Sequence, residues 1–302
     1  MARSIDFTKM EGAGNDYIYI DVSRIPVGNP AELSRHLSDR HFGVGADGLV
    51  LITPSDRADF GMRMFNADGS EGRMCGNAAR CIGKYLYDKG LTRKLDLSLE
   101  TVSGIKHLSL RPGPDGSIES VTVGMGRITA APAELNIEAA GEHFTGTVVD
   151  VGNPHFVIFC ENAESVDLER IGPAIECHPL FPGRTNVEFV SEDAHGRLRM
   201  RVWERGSGIT LACGTGACAV AAAASAKSTA ACAQHHAACA EHTAAFSEHT
   251  AESVTHSTTA EKEPCTFDIV CDGGTLRVQL APDGELLLSG PARTVFEGTL
   301  EL

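Results

Sequence analysis

Two cysteine-glycine pairs, Cys75-Gly76 and Cys213-Gly214, stand 138 residues apart, each just ahead of a stretch that reads as a helix. A helix start leaves its first four backbone N–H groups without partners inside the helix. Their partial positive charge favours a thiolate, so both thiols are expected to have pKa values lowered from about 8.5 toward neutrality. The same N–H groups can hold a carboxylate, and the glycine after each cysteine lets a ligand approach the backbone closely. Two such sites facing one another would suit one reaction type. One sulfur, as thiolate, would remove the α-proton of a bound amino acid. The other, as thiol, would return a proton from the opposite face and so invert the centre. Helix ends that neutralise the α-carboxylate in a dry site would stabilise the carbanion-like transition state. The scheme calls for no cofactor and no metal.

The same offset relates other segments. Met62–Phe65 (MRMF) answers Met200–Trp203 (MRVW), Gly14-Asn15 answers Gly152-Asn153, and Leu51-Ile52 stands opposite Phe189-Val190. Several matches at one offset read as two copies of one supersecondary unit, each the kernel of a domain. In each copy a Gly-Asn turn leads into an apolar strand, Tyr17–Val22 or His155–Cys160. Further strands are expected at Leu49–Thr53 and Gly61–Phe65, and at Asn186–Val190 and Arg197–Trp203. The first helix is expected over Asn77–Lys89 with Gly90 as its C-cap, the second from Gly214 to about Lys227. Strand-like segments at Leu95–Val102, Ile105–Leu110, Ile118–Val123 and Glu142–Val149 lie between the kernels. Three more, Phe267–Cys271, Thr275–Leu280 and Glu285–Ser289, lie near the C-terminus. Many strands and one clear helix per half imply an α+β fold of two pseudo-symmetric domains with the active site in the cleft between them.

Composition sets outer limits. A chain of 302 residues suggests two domains. A net charge of −14 argues against nucleic-acid binding, which needs a basic surface. No stretch approaches the roughly 20 apolar residues of a membrane span, and the first residues have no apolar signal core. Ten cysteines without an export signal then read as reduced cytoplasmic thiols, and none are spaced as CxxC. Six of the remaining cysteines, Cys81, Cys160, Cys177, Cys218, Cys265 and Cys271, read as small buried hydrophobes. One segment breaks the pattern. From Cys232 a seven-residue tandem repeat carries His235, His236, His242, His249 and His256. It reads as a low-complexity insert over about residues 228–263, although Cys232, His236, Cys239 and His242 on one helical face could share a metal.

At the cysteine blocks the chain resembles a known family, the diaminopimelate epimerases. The resemblance rests on GAGNDYIYID at Gly12–Asp21, GVGADGL at Gly43–Leu49 and FNADGSEGRMCGNAARC at Phe65–Cys81. It continues with GNPHF at Gly152–Phe156, RTNVEF at Arg184–Phe189 and WERGSGITLACGTGACA at Trp203–Ala219. It implies epimerisation of LL-2,6-diaminoheptanedioate to the meso isomer, in lysine and peptidoglycan-precursor synthesis, without pyridoxal phosphate. It implies Cys213 as base for the LL isomer and Cys75 as proton donor. It also implies two halves, each a mostly antiparallel sheet wrapped around a central helix, and a homodimer. The last residues would cross back to the first half, giving halves of 1–121 with 289–302 and of 122–288.

The polar set follows from the substrate. An enzyme that inverts one end of a diamino dicarboxylate must hold the other end stereospecifically, leaving its groups unpaired when the wrong compound binds. The candidates are Asn15, Asn66, Asn153, Asn186, Glu204 and Arg205, all inside the family blocks. Arg205 should take the distal carboxylate and Glu204 an ammonium. The backbones of Gly76-Asn77 and Gly214-Thr215 should hold the α-carboxylate. The repeat is broken beside the site, with Tyr17 opposite His155 and Asn66 opposite Glu204. The family pattern makes His155 and Glu204 assistants to the cysteines. Three rivals remain. They are a proline or hydroxyproline racemase or epimerase of the same fold, a PhzF-like isomerase, and a metal-binding protein that uses the His/Cys repeat.

Overall fold

The computed structural model describes residues 4–23, 27–128, 130–228 and 264–301. The His-rich repeat, with Cys232, His235, His236, Cys239, His242, His249 and His256, lies outside the described residues. In chain order the first elements are β1 (Ser4–Gly12), β2 (Asn15–Asp21), α1 (Pro30–Ser38), β3 (Gly48–Thr53), β4 (Phe60–Asn66) and β5 (Glu71–Gly72). Then come α2 (Gly76–Asp88), β6 (Asp96–Thr101), β7 (Gly104–Pro112), β8 (Ile118–Arg127), β9 (Ala133–Ala139) and β10 (Glu142–Asp150). They are followed by β11 (Pro154–Phe159), α3 (Leu168–Glu176), β12 (Asn186–Glu192), β13 (Leu198–Glu204) and β14 (Gly208–Thr210). A helix over residues 214–228, α4, precedes β15 (Cys265–Cys271), β16 (Gly274–Leu280), β17 (Glu285–Pro291) and β18 (Arg293–Glu301).

The described strands belong to one sheet system, mostly antiparallel. The pairing pattern recurs. β2–β3 is parallel, β3–β4 and β4–β5 are antiparallel, and β4–β6 is parallel. β11–β12, β12–β13, β13–β14 and β13–β15 repeat that sequence of orientations. β18 pairs antiparallel with β1, and β8 pairs with both β7 and β17. A parallel neighbour needs a crossover connection, and the β2–β3 and β11–β12 crossovers each contain a helix. These are α1 and α3, which the sequence reading left out when it expected one helix per half. Asn29 and Asp167 cap them, each accepting from the backbone N–H three residues on.

Two-sided burial explains the apolar runs of β2 and β11. Tyr17 and Tyr19 face the central core, while Ile18 and Ile20 face a second cluster that takes in Leu33 and Leu37 of α1. Phe156 and Ile158 likewise join Ile171 and Ile175 of α3. α2 packs against β1, β7, β8, β17 and β18. It is buried nearly all round, which suits a helix enclosed by sheet. Gly83 lets the sheet approach, since a Cβ there would come within 2.7 Å of Leu110. α4 contributes Ala217, Cys218 and Ala219–Ala223 to the same core. No described helix is long and apolar enough to cross a membrane.

Cys81, Cys218 and Cys271 are buried as expected, but Cys177 and Cys265 are exposed and Cys160 is intermediate. The exposed pair lies just past the end of α3 and at the start of β15, where the core no longer covers the chain. Burial pushes the Cys81, Cys218 and Cys271 thiols up to about 12. An unfolded thiol ionises at about 8.5. Above that pH the folded chain holds protons that the unfolded chain has lost, so stability falls as pH rises toward about 12. The urea midpoint should be lower at pH 10 than at pH 8; equal midpoints would contradict this.

Candidate active site

Cys75 is the N-cap of α2, in extended backbone (φ −134°, ψ 122°) and with no side-chain cap bond. Its backbone C=O accepts from Ala79 N at 2.9 Å, and its thiol donates to Asn15 Oδ1 at 3.4 Å. Cys213 holds the matching place before α4, with its C=O accepting from Ala217 N at 2.9 Å. Its sulfur lies 3.4 Å from Thr215 Oγ1 and accepts from Gly216 N at 3.4 Å. The two helix starts abut. A Cβ on Gly214 would come within 4.0 Å of Gly76 Cα, and a Cβ on either glycine would press on Leu288. Any side chain here would narrow the gap between the two rows of free N–H groups.

The amides form a lattice around the sulfurs. Asn15 Nδ2 donates to Asp47 Oδ2 at 2.7 Å, and Asn15 Oδ1 also accepts from Asn77 Nδ2 at 3.3 Å. Asn77 reaches across to Ala212 O at 3.4 Å, beside the other helix start. Asn153 Nδ2 donates to Thr215 Oγ1 at 3.3 Å, and its Oδ1 lies 3.2 Å from His155 Nε2. Asn186 Nδ2 donates to Pro154 O at 2.9 Å, while Asn186 Oδ1 accepts from Arg205 N at 2.9 Å. Thr210 Oγ1 donates to Glu204 Oε1 at 2.5 Å. Arg205 is exposed, spends one N–H on Gly183 O at 2.9 Å and enters no ion pair among the described residues. Asn66 is also exposed, and its amide donates to Ser70 Oγ at 3.0 Å. No described hydrogen bond ties it to either cysteine.

The expected drop in thiol pKa does not hold in this structure. Burial pushes the Cys75 thiol up, and the N–H groups of Ala78 and Asn77 offset only part of that. Cys213 is pushed up further, by burial and then by the negative charges of Glu204 and Glu188, against Thr215 and Gly216. Burial also raises the Glu204 carboxyl, opposed by its bonds to Thr210 and Cys213. Helix ends favour the thiolate, but desolvation of the sulfur outweighs them in a site this dry.

Three contributors were not singled out from sequence. Glu188 is fully buried, with Oε1 2.6 Å from His155 Nδ1 and Oε2 without a partner. A carboxylate between Val187 and Phe189 in an apolar strand was the available signal, since such residues are almost never buried unpaired. Asp47 orients Asn15 and lies in the GVGADGL block. Arg80, inside α2, donates to Asn77 Oδ1 at 2.9 Å. Among the described residues no cluster of three or more His, Cys, Asp or Glu could hold a metal.

The architecture is that of a sheet-rich fold with mixed α and β elements, shared with several solved structures. A PhzF-family phenazine biosynthesis protein of Bacillus anthracis superposes with a TM-score of 0.67 at 16% identity, covering 99% of this chain and 100% of that one. A hydroxyproline epimerase of Agrobacterium vitis gives 0.59 at 17% identity, covering 99% and 93%. At these identities the likeness is one of fold. The family comes from sequence. The family model described as diaminopimelate epimerase matches residues 7–130 and 147–295. A diaminopimelate epimerase of Parabacteroides distasonis is 47% identical over 303 residues, covering the whole of both chains. One of Phocaeicola vulgatus is 46% identical over 314 residues, again covering both completely. This chain belongs to the diaminopimelate epimerase family.

Proposed function

We propose that Cys75 and Cys213 are the two proton-transferring groups of a diaminopimelate epimerase. The activity itself follows from the family: the chain epimerises diaminopimelate, in lysine biosynthesis. The observation that carries the assignment of roles is the abutment of two cysteine-capped helix starts at Gly76 and Gly214. For the LL isomer, Cys213 acts as thiolate and takes the α-proton, while Cys75 acts as thiol and delivers one to the opposite face. The sulfurs exchange roles in reverse. The N–H groups of Gly76-Asn77 and Gly214-Thr215 hold the α-carboxylate, where they offset charge as it develops in the transition state. Asn15 and Asn153 line the two sulfurs, and His155 and Glu204 support proton traffic beside Cys213. Arg205 pairs with no carboxylate among the described residues and offers its guanidinium to the distal carboxylate, with Asn186 fixing its backbone. Asn66 is assigned to the rim.

We further propose that the chain is an internal duplication. Ser4–Gly12, Pro30–Ser38 and Phe60–Asn66 recur 138 residues on as Glu142–Asp150, Leu168–Glu176 and Leu198–Glu204. Past α4 the offset grows to 169, from Asp96 to Cys265, which places the extra length between α4 and β15. The β1–β18 pairing supports halves of 1–121 with 289–302 and of 122–288. A homodimer is inferred from the family. β18 pairs only with β1 among the described strands and exposes Val295 and Phe296, as a covered edge would. We infer a cytoplasmic location from ten cysteines that read as reduced thiols.

The test is α-proton exchange in D2O with reductant and no added pyridoxal phosphate. LL-diaminopimelate and L-proline are offered separately, and mass and stereochemistry are read together. Deuterated meso product from diaminopimelate alone is expected. Exchange with proline alone would keep the chemistry and overturn the substrate. No exchange with either, from folded and reduced protein, would overturn the assignment of the cysteines.

A further inference from the structure

The repeat puts unlike residues behind the two sulfurs. Five residues past Cys75 stands Arg80; five past Cys213 stands Cys218. Arg80 is 0% exposed. Its Nη2 donates to Asn77, its Nε donates to Pro291 O at 3.2 Å, and its Nη1 has no hydrogen-bond partner. No carboxylate pairs with it among the described residues. Two glycines from different strands make its space. A Cβ on Gly290 would lie 3.0 Å from Nε, and one on Gly12 would lie 3.3 Å from Nη2. A buried cation without a counter-charge is costly to fold, so its charge calls for an explanation. It faces the reacting sulfur through Asn77 and Asn15, the amide that accepts the Cys75 thiol.

Glu204 bears on both thiols; what differs is the cation Arg80 beside Cys75 and a second carboxylate, Glu188, beside Cys213. Facing Cys75 are Arg80 and Cys81 on α2, Tyr17 and Tyr19 on β2, and Glu204 on β13. Arg80 is the cation among them. Facing Cys213 are Glu204 on β13 and Glu188 on β12, with His155 of β11 paired to Glu188. In a dry interior such charges act strongly.

We propose that Arg80 is a positioning residue that favours ionisation of Cys75 and so, with Glu188 set against Cys213, has Cys75 lose its proton before Cys213 in the free enzyme. The proposal rests on the two-base reading above. Burial raises both thiols, and Cys213 the further, in keeping with that order. The free enzyme is then loaded to take the α-proton of the meso isomer. Before it can take the LL isomer, Cys213 must release its proton to solvent and Cys75 must bind one.

The test is alkylation of the reduced, full-length enzyme by iodoacetamide as a function of pH, with Cys75 and Cys213 followed separately by peptide mass mapping. The expected midpoint for Cys75 lies at least about one pH unit below that for Cys213, a tenfold difference in ionisation constant. In Arg80→Met the Cys75 midpoint rises by about one unit while that of Cys213 moves little, and Arg80→Lys restores it in part. Cys213 ionising first, or together with Cys75, in the unaltered enzyme overturns the proposal, even if Arg80→Met does not fold. So does a folded Arg80→Met enzyme with an unchanged Cys75 profile. Failure of the two-base reading shows elsewhere, as near-normal turnover after loss of either cysteine.

Discussion

Cys213→Ala and Cys75→Ala should each lower turnover of diaminopimelate by about 10³-fold or more while leaving the fold in place. A positioned acid or base contributes roughly 10²–10⁴-fold, and inversion needs one on each face. The fold should survive because neither sulfur carries the structure. Cys75 makes no side-chain cap bond, and its thiol donates to an amide that keeps two other partners. The helix starts remain held by backbone bonds from Ala79 and Ala217. Turnover and thermal melting on the same samples provide the check. The variants should also differ from one another. Cys75→Ala keeps the base for the LL isomer and should wash deuterium slowly into recovered LL substrate, whereas Cys213→Ala should do so with meso. Near-normal turnover in either variant would sink the two-base scheme.

His155→Ala should destabilise the protein by about 3–5 kcal/mol, the cost of leaving a buried carboxylate without its hydrogen-bonded partner. Glu188 Oε1 has His155 as its polar partner at 2.6 Å, and Oε2 has none. Without the imidazole, a fully buried carboxylate keeps no side-chain partner. The neighbourhood cannot relax around it easily, because a Cβ on Gly216 would already lie 2.8 Å from Glu188 Oε1. Glu188→Leu in the same background should recover much of the loss, since it removes the stranded charge. Urea denaturation of the two single variants and the double variant measures the coupling. A loss under about 1 kcal/mol for His155→Ala would mean that the pair is not what holds Glu188 in place.

Much of the site was legible before the fold was known, because its signals are short-range. Cysteine-glycine pairs ahead of helix-forming segments mark two helix starts, and capping is a property of a few consecutive residues. α2 follows Cys75 with Gly76 as its first residue. Asn15, Asn77, Asn153, Thr215 and His155 were all singled out from local blocks; Asn15 and Thr215 touch the sulfurs, and the other three reach them through hydrogen bonds. The helices α1 and α3 were missed although their signals were also local. Asn29-Pro30 and Asp167 are N-terminal cap signatures, and each begins a crossover that parallel strands require.

The sequence by itself determined the pair of helix starts, the strands just ahead of them and the family blocks. Only the tertiary structure decided the electrostatics. Burial depends on what every other element covers, and it turned two thiols expected near neutrality into thiols raised above their ordinary range. The pairing of Glu188 with His155 joins neighbouring strands across 33 residues, and the cavity for Arg80 is built by Gly12 and Gly290 from distant strands. No local pattern encodes such contacts, because their free energy comes from desolvation and charge across space.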